Sequence, residues 1–398
     1  MSDNAVIVIG GGINSLGIIR NIGRIGIDVI SIVDKVEYSG KSRFCRSVVI
    51  NPNLYKDTNS LIETLQNVSG KFQYHKYILM PVSDGILQLL ALNMQKLHSK
   101  FLLNIPDVET VDTLIDKGKF YSLLRELKIP HPKAFFPNHE ESLESLSGKL
   151  SFPMFLKPNK SHEFRARFNG KKGFTINNLS ELREKINLTE EFSIQVMLNE
   201  IIPGHSNNHY FIDGYCDVKG EPKAIFARRR IHMYPLDWGN STSMVSISPD
   251  QIKPAINDLN KLLRKLNYHG IFSAEVKFDD RDNTYKFIEI NARSWWYNMF
   301  PSICGINIVK MLYDDLALGY TEKIDNYKEN KYHVYFWPEF LSLTHMIMKK
   351  ENKILDLLRE VKFSISSPLF AFDDMKPFIR NLFEWSVRKI ENQFKFNY

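Results

Sequence analysis

The stretch from Ile271 to Arg293 admits few folds other than an antiparallel hairpin with one charged face. Phe272, Ala274, Val276 and Phe278 alternate with Ser273, Glu275 and Lys277, the period of two of a half-buried strand. Asp280 to Thr284 is rich in Asp and Asn and reads as the turn. In the returning strand Lys286, Ile288, Ile290 and Ala292 alternate with Phe287, Glu289, Asn291 and Arg293. With the turn centred on Asp282, residues equidistant from it face each other, and Glu275 falls opposite Glu289. Their side chains then lie about 5 Å apart on one face. Two facing carboxylates repel, and a divalent cation bound to both removes the penalty. Asn291 adds a neutral oxygen to the same face, and oxygen-only donors suit Mg2+ or Mn2+ better than zinc. Arg293 continues the face, where its guanidinium can hold an oxyanion or a phosphoryl oxygen. The competing reading is a solvated strand face that carries these four side chains and binds nothing.

The opening of the chain is a second constraint. Val6 to Ile9 is a β-rich apolar run, Gly10-Gly11-Gly12 turns the chain, and Ile13 to Ile25 follow with helical spacing. Asp28 to Val33 reads as a second buried strand. A helix N-terminus after a glycine turn is the anion-receiving corner of nucleotide-type folds. The dinucleotide fingerprint G-x-G-x-x-G nevertheless needs glycine at position 15, where Ser15 stands, and Gly17 comes two residues late. The expectation is a doubly wound domain that uses its crevice for something other than a nicotinamide cofactor.

Between these ends, Asp116 to Leu127 is a charged amphipathic helix opened by Lys117 and closed before Pro130. Phe152 to Lys157 is an apolar strand ending in a lysine, a point charge well placed for a phosphate. A second strand, Ser193 to Leu198, ends at Asn199-Glu200-Ile201-Ile202-Pro203-Gly204. Phe226 to Pro235 reads as a strand on which Arg229 shares the face of Ile225, Ala227 and Ile231, which would point it inward; a surface arginine run is the alternative. At 398 residues the chain exceeds one hydrophobic core and divides into about two to four subdomains. The formal charge of +7 suits an anionic small molecule, and the basic residues are too scattered for a nucleic-acid stripe. Three distant cysteines, Cys45, Cys216 and Cys304, supply neither a disulfide framework nor a metal site. No apolar run approaches the roughly 18 residues of a transmembrane segment, and the expected location is cytoplasmic.

Taken in order, these motifs resemble the ATP-grasp superfamily over about residues 1 to 320. The carriers are Asp116-Lys117, Phe152 to Lys157, Asn199 to Gly204, Glu275, and Glu289-Ile290-Asn291-Ala292-Arg293. The resemblance implies an α/β (α+β) fold with a Rossmann-like pre-ATP-grasp domain over residues 1–105 and an ATP-grasp domain over 106–320. Within the latter, a small lobe covers about 125–198 and a large lobe about 199–320; a helical C-terminal extension occupies 321–398. It also implies that Lys117 and Lys157 contact ATP phosphates and that the backbone of Glu200 and Ile202 holds adenine. Glu275, Glu289 and Asn291 would hold two Mg2+ ions, with Mn2+ as an alternative, and Arg293 would steady an acyl phosphate. Arg229 is placed at the γ-phosphate or the acid substrate.

Two departures from the superfamily stand out. The loop Asn159 to Lys172 has one glycine, Gly170, and carries Lys160, Arg165, Arg167, Lys171 and Lys172 instead. No acid follows Gly204 for the ribose, since His205 to His209 stand there. The resemblance is strongest to carboxylate–amine ligases with a helical C-terminal extension, enzymes that join a small-molecule acid and an amine with ADP release. Other ATP-grasp chemistry (carboxylation or carbamoyl-phosphate type) and a non-catalytic nucleotide- or glycan-binding module are the alternatives. No nucleic-acid partner is expected, and a homodimer is left open.

Overall fold

A computed structural model describes residues 3–97, 99–137, 148–160, 164, 167–236, 238–349 and 366–384. The chain opens with β1 (Asn4–Ile9), α1 (Gly12–Gly23), β2 (Asp28–Val33), β3 (Cys45–Ile50), α2 (Thr58–Phe72), β4 (Lys76–Pro81), α3 (Asp84–Leu92) and β5 (Phe101–Leu102). The strands form a parallel sheet in the order β3-β2-β1-β4-β5. Its central strand is buried from Ala5 to Ile9, as expected of a parallel sheet covered on both faces, while edge strand β3 alternates in burial. This is the doubly wound domain expected from the opening residues. Its glycine turn is occupied from within: the Gly12 amide donates to Glu37 Oε2 at 2.7 Å. Because α1 has no acidic residue in its first turn, Glu37 supplies the negative charge that the helix N-terminus favours. Gly17 has a packing reason of its own, since a Cβ there would lie 1.7 Å from Asn298 Oδ1 of a later helix.

Two short helices, α4 (Val108–Ile115) and α5 (Lys117–Glu126), lead into the small lobe. Asp116 caps α5 by accepting from the Gly118 and Lys119 amides, which places Lys117 at its first turn. The small lobe holds β6 (Ala134–Phe135), β7 (Met154–Pro158), β8 (Phe174–Ile176), α6 (Leu179–Glu190) and β9 (Val196–Glu200), in the sheet order β6-β9-β7-β8. Its core is separate and includes Leu156, Phe164, Ile176, Leu182 and Leu198.

The large lobe is a six-stranded sheet in the order β14-β13-β10-β11-β12-β15, built from β10 (His209–Cys216), β11 (Pro222–Tyr234), β12 (Asn240–Ser246), β13 (Gly270–Asp279), β14 (Thr284–Asn291) and β15 (Tyr332–Val334). Helix α7 (Lys253–Lys265) covers one face of it, with Leu259, Leu262 and Leu263 packed in one core with Ile212, Ala227, Ala274 and Val276. Helices α8 (Met299–Cys304), α9 (Ile308–Leu318) and α10 (Phe336–Met348) follow. Among the described residues no helix is long and apolar enough to cross a membrane.

The stretch expected to be helical from about 321 contributes β15, which pairs with β12 through Ser243↔Val334 and Val245↔Tyr332. Beyond it, residues 366–374 clasp the N-terminal domain. Arg20, fully buried, donates to Asp374 Oδ2 at 2.9 Å and to the carbonyls of Pro368, Leu369 and Asp374. Ser42 and the Arg43 amide complete the Asp374 carboxylate. Within the basic, aromatic stretch 353–395, residues 353–365 and 385–395 lie outside the described residues, as does Arg165 of the small-lobe loop.

Candidate active site

Between the two lobes lies a cleft of about 760 Å³. It brings together Lys117, Lys157, Glu200, Ile202, Glu275, Glu289, Asn291 and Arg293, residues drawn from both lobes.

The hairpin does set Glu275 opposite Glu289, by a route the sequence pattern does not show. The turn is one residue tighter than expected, because Thr284 already pairs with Asp279. Between Val276↔Phe287 and Glu275↔Glu289 the register shifts, leaving Ile288 as an extra residue, a β-bulge. The bulge compensates for the shorter turn. It also turns Phe287 into the core while Ile288 and Glu289 both line the cleft, so Phe287 does not share the face of Glu289 as its spacing suggested.

Glu275 Oε1 meets His209 Nδ1 at 2.9 Å and Arg230 Nη2 at 3.2 Å. Burial raises its pKa, but the His209 hydrogen bond and the Arg230 charge outweigh burial and hold the carboxyl well below the usual carboxylate range. Burial and the same Arg230 push His209 down to about 4, so this imidazole is neutral near pH 7. Glu289 Oε1 accepts from Asn291 Nδ2 at 3.3 Å, and Asn291 Oδ1 accepts from Arg293 Nη2 at 2.9 Å. The donor set is two carboxylates and one amide oxygen. Among the described residues no group of three or more His, Cys, Asp or Glu is arranged to hold a metal ion. A hard divalent ion would therefore fit at Glu275, Glu289 and Asn291 only with further oxygens from a ligand, the usual situation of Mg2+ on a phosphate.

Those oxygens have cationic partners across the cleft. Lys157 ends β7 with its ammonium 5.2 Å from the centroid of the Tyr121 ring. Burial, and next the neighbouring Lys117, lower its pKa to about 7 against the pull of Glu289 and Glu275. Lys172, from the basic loop, lines the cleft and donates to Gly239 O and Asn240 Oδ1 at 3.3 and 3.0 Å. Beside it Trp238 stacks on Phe155 with ring centroids 4.0 Å apart and reaches Thr175 Oγ1, so the loop after β11 clasps the small lobe. Glu200 is fixed by Arg281 at 2.6 Å and by the Lys133 amide, and the Ile202 carbonyl accepts from Lys277 Nζ at 2.7 Å.

Arg229 does not line the cleft. It shares the face of Ile225, Ala227 and Ile231 as read, but that face packs on the core shared with α7. The cleft takes the opposite face of β11, carrying Arg228 and Arg230, because α7 covers the face of Arg229. Arg228 is tied to buried Asp213 at 2.6 Å, and Arg230 to Glu275. His209, Arg230 and Asp84 (the last bound to Arg293) went unnoticed in the sequence; parity on β11 opposite Ala227 was the only signal for the second.

No protein-family model matches the chain. The D-aspartate ligase of Enterococcus faecium is 27% identical over 286 residues, 68% of this chain; the match spans 66% of that ligase's own length. An N5-carboxyaminoimidazole ribonucleotide synthetase, solved with ADP, superposes with a TM-score of 0.66 at 13% identity, over 88% of this chain and 86% of that one. The L-amino acid ligase from Bacillus licheniformis gives a TM-score of 0.59 at 14% identity, over 79% and 74%. A two-lobed cleft behind a parallel-sheet domain defines the class. Within it, the chain resembles the ATP-grasp superfamily, whose fold these neighbours share.

Proposed function

We propose that this protein is an ATP-dependent ligase that joins a small-molecule carboxylate to an amine. The carboxylate attacks the γ-phosphate to give an acyl phosphate and ADP, and the amine then displaces phosphate to form the amide. The observation that carries the reading is the register pairing of Glu275 with Glu289, facing Lys117 and Lys157 across one cleft that Arg293 also lines. Lys117 and Lys157 neutralise the phosphates, and the backbone around Glu200 and Ile202 receives the adenine. Glu275, Glu289 and Asn291 would hold Mg2+, two ions with Mn2+ as a substitute, which would supply positive charge against the phosphates. Arg293 stabilises the charge that develops at the reacting oxygens. Such a site works by positioning and charge neutralisation, with no covalent step on the protein. The likeness to a D-aspartate ligase and an L-amino acid ligase supports an amino acid as one of the two substrates.

The test is a thermal-shift titration followed by a screen of amino acids, amines and nucleotide-sugar acids for pairs that trigger ADP release. Bicarbonate belongs in the screen as an acid, since a carboxyaminoimidazole ribonucleotide synthetase shares the fold. Stabilisation by MgATP and amine-dependent ADP release are expected. Stabilisation by NAD with none by MgATP would overturn the reading.

A further inference from the structure

We propose that Asp84, which opens α3 in the N-terminal domain, is the positioning residue that aims Arg293 into the cleft. The inference rests on the ligase reading above and extends the chemical apparatus to a domain outside the two lobes. Arg293 Nε donates to Asp84 Oδ1 at 2.8 Å and Nη2 to Oδ2 at 3.2 Å, a two-pronged grip on the carboxylate. Nη2 also donates to Asn291 Oδ1 at 2.9 Å, and Nη1 to the Ser294 carbonyl at 3.0 Å. The guanidinium has five N–H donors. Four are engaged by these bonds, which leaves a single Nη1 hydrogen for a substrate oxygen. The edge with which an arginine grips two oxygens is thus held by Asp84, and Arg293 acts on the reacting oxygen as a single-point donor.

Three features make Asp84 the controlling partner. It does not line the cleft, so its route to the chemistry runs through Arg293. Its position is set by its own domain, because Ser83 caps α3 through the Ile86 amide and leaves Asp84 in the first turn. Next to it, Asn14 from the glycine-turn helix reaches Val82 O at 3.1 Å and Ser294 O at 3.5 Å, so the N-terminal domain meets the end of β14 at two points. Finally the grip is passed on: Arg293 orients the Asn291 amide, whose Nδ2 faces Glu289. Asp84, Arg293, Asn291 and Glu289 form one chain of hydrogen bonds from the N-terminal domain to the carboxylate pair.

The experiment compares wild type with Asp84→Ala, Asp84→Glu, Arg293→Lys and the Asp84→Ala/Arg293→Lys pair. The 15N spectrum of the arginine Nε–H groups is followed with Mg2+ and ADP, which needs no knowledge of the acid. The Arg293 signal, identified by its loss in Arg293→Lys, is expected to be sharp in wild type and broadened or shifted in Asp84→Ala. In ADP release Asp84→Ala should lower turnover roughly tenfold or more while KM for MgATP stays within about twofold; Asp84→Glu should recover part of the loss. The double variant should be no worse than Arg293→Lys alone, since both changes act through one group. An unchanged Arg293 signal in Asp84→Ala, wild-type or faster turnover, or additive losses would overturn the assignment. A wild-type protein that fails to bind MgATP would instead overturn the ligase reading.

Discussion

Nucleotide binding should take up a proton at Lys157, and the amount follows from the site. In the free protein burial and the adjacent Lys117 hold this ammonium at about 7, far below its ordinary 10.5. The fold carries the cost of charging it in full below pH 7 and is relieved of it as pH rises from 7 towards 10.5. A triphosphate brought against Lys157 supplies the opposite charge that the empty cleft lacks and should return the pKa to roughly its ordinary value. At pH 8 free Lys157 is only about one-tenth protonated, so binding should take up about 0.9 proton; at pH 6 it should take up about 0.1. The same linkage should weaken MgATP binding roughly 50-fold between pH 7 and pH 9. His209, held near 4, is neutral throughout this range and does not contribute. The assay is isothermal titration of MgATP in buffers of different ionisation enthalpy at each pH, with Lys157→Met as the reference. Observed heats at pH 8 that do not depend on the buffer, or an uptake that persists in Lys157→Met, would refute the argument.

Other consequences can be measured independently. Glu289→Gln keeps the shape of the side chain and removes one anionic oxygen, so turnover at limiting Mg2+ should fall more than about tenfold, at least 1.4 kcal/mol at the transition state, with an unchanged melting temperature; wild-type turnover would reduce the carboxylate pair to a surface feature. Arg20→Met leaves Asp374 buried without its partner and should destabilise by about 3–5 kcal/mol in denaturant unfolding, whereas Arg20→Met with Asp374→Leu should regain much of that loss. Trp238→Ala removes the stack on Phe155 that joins the loop after β11 to the small lobe, and hydrogen exchange in β7 and β8 should speed up.

The sequence by itself determined the repetitive and the local features. Period-two alternation marked β13 and β14, a glycine turn followed by helical spacing marked the first βα unit, and Asp116 before Lys117 marked a helix start. Each depends on residues a few positions apart, where backbone geometry alone decides the outcome. The order of those motifs along the chain was enough to gather eight of the nine expected site residues in one cleft. Tertiary structure decided what periodicity leaves open. Alternation on β11 divides Arg229 from Arg228 and Arg230 but cannot say which face α7 covers, and α7 chose the face of Arg229. The bulge at Ile288 was invisible because it offsets a tighter turn, so the facing of Glu275 and Glu289 came out right with a different register nearer the turn. Asp84 on Arg293, Glu37 on the glycine turn and Asp374 on Arg20 are pairs between residues 209, 25 and 354 positions apart. A buried or half-buried charge needs an opposite charge, but the chain alone does not say which of 45 acidic residues the fold will bring to it.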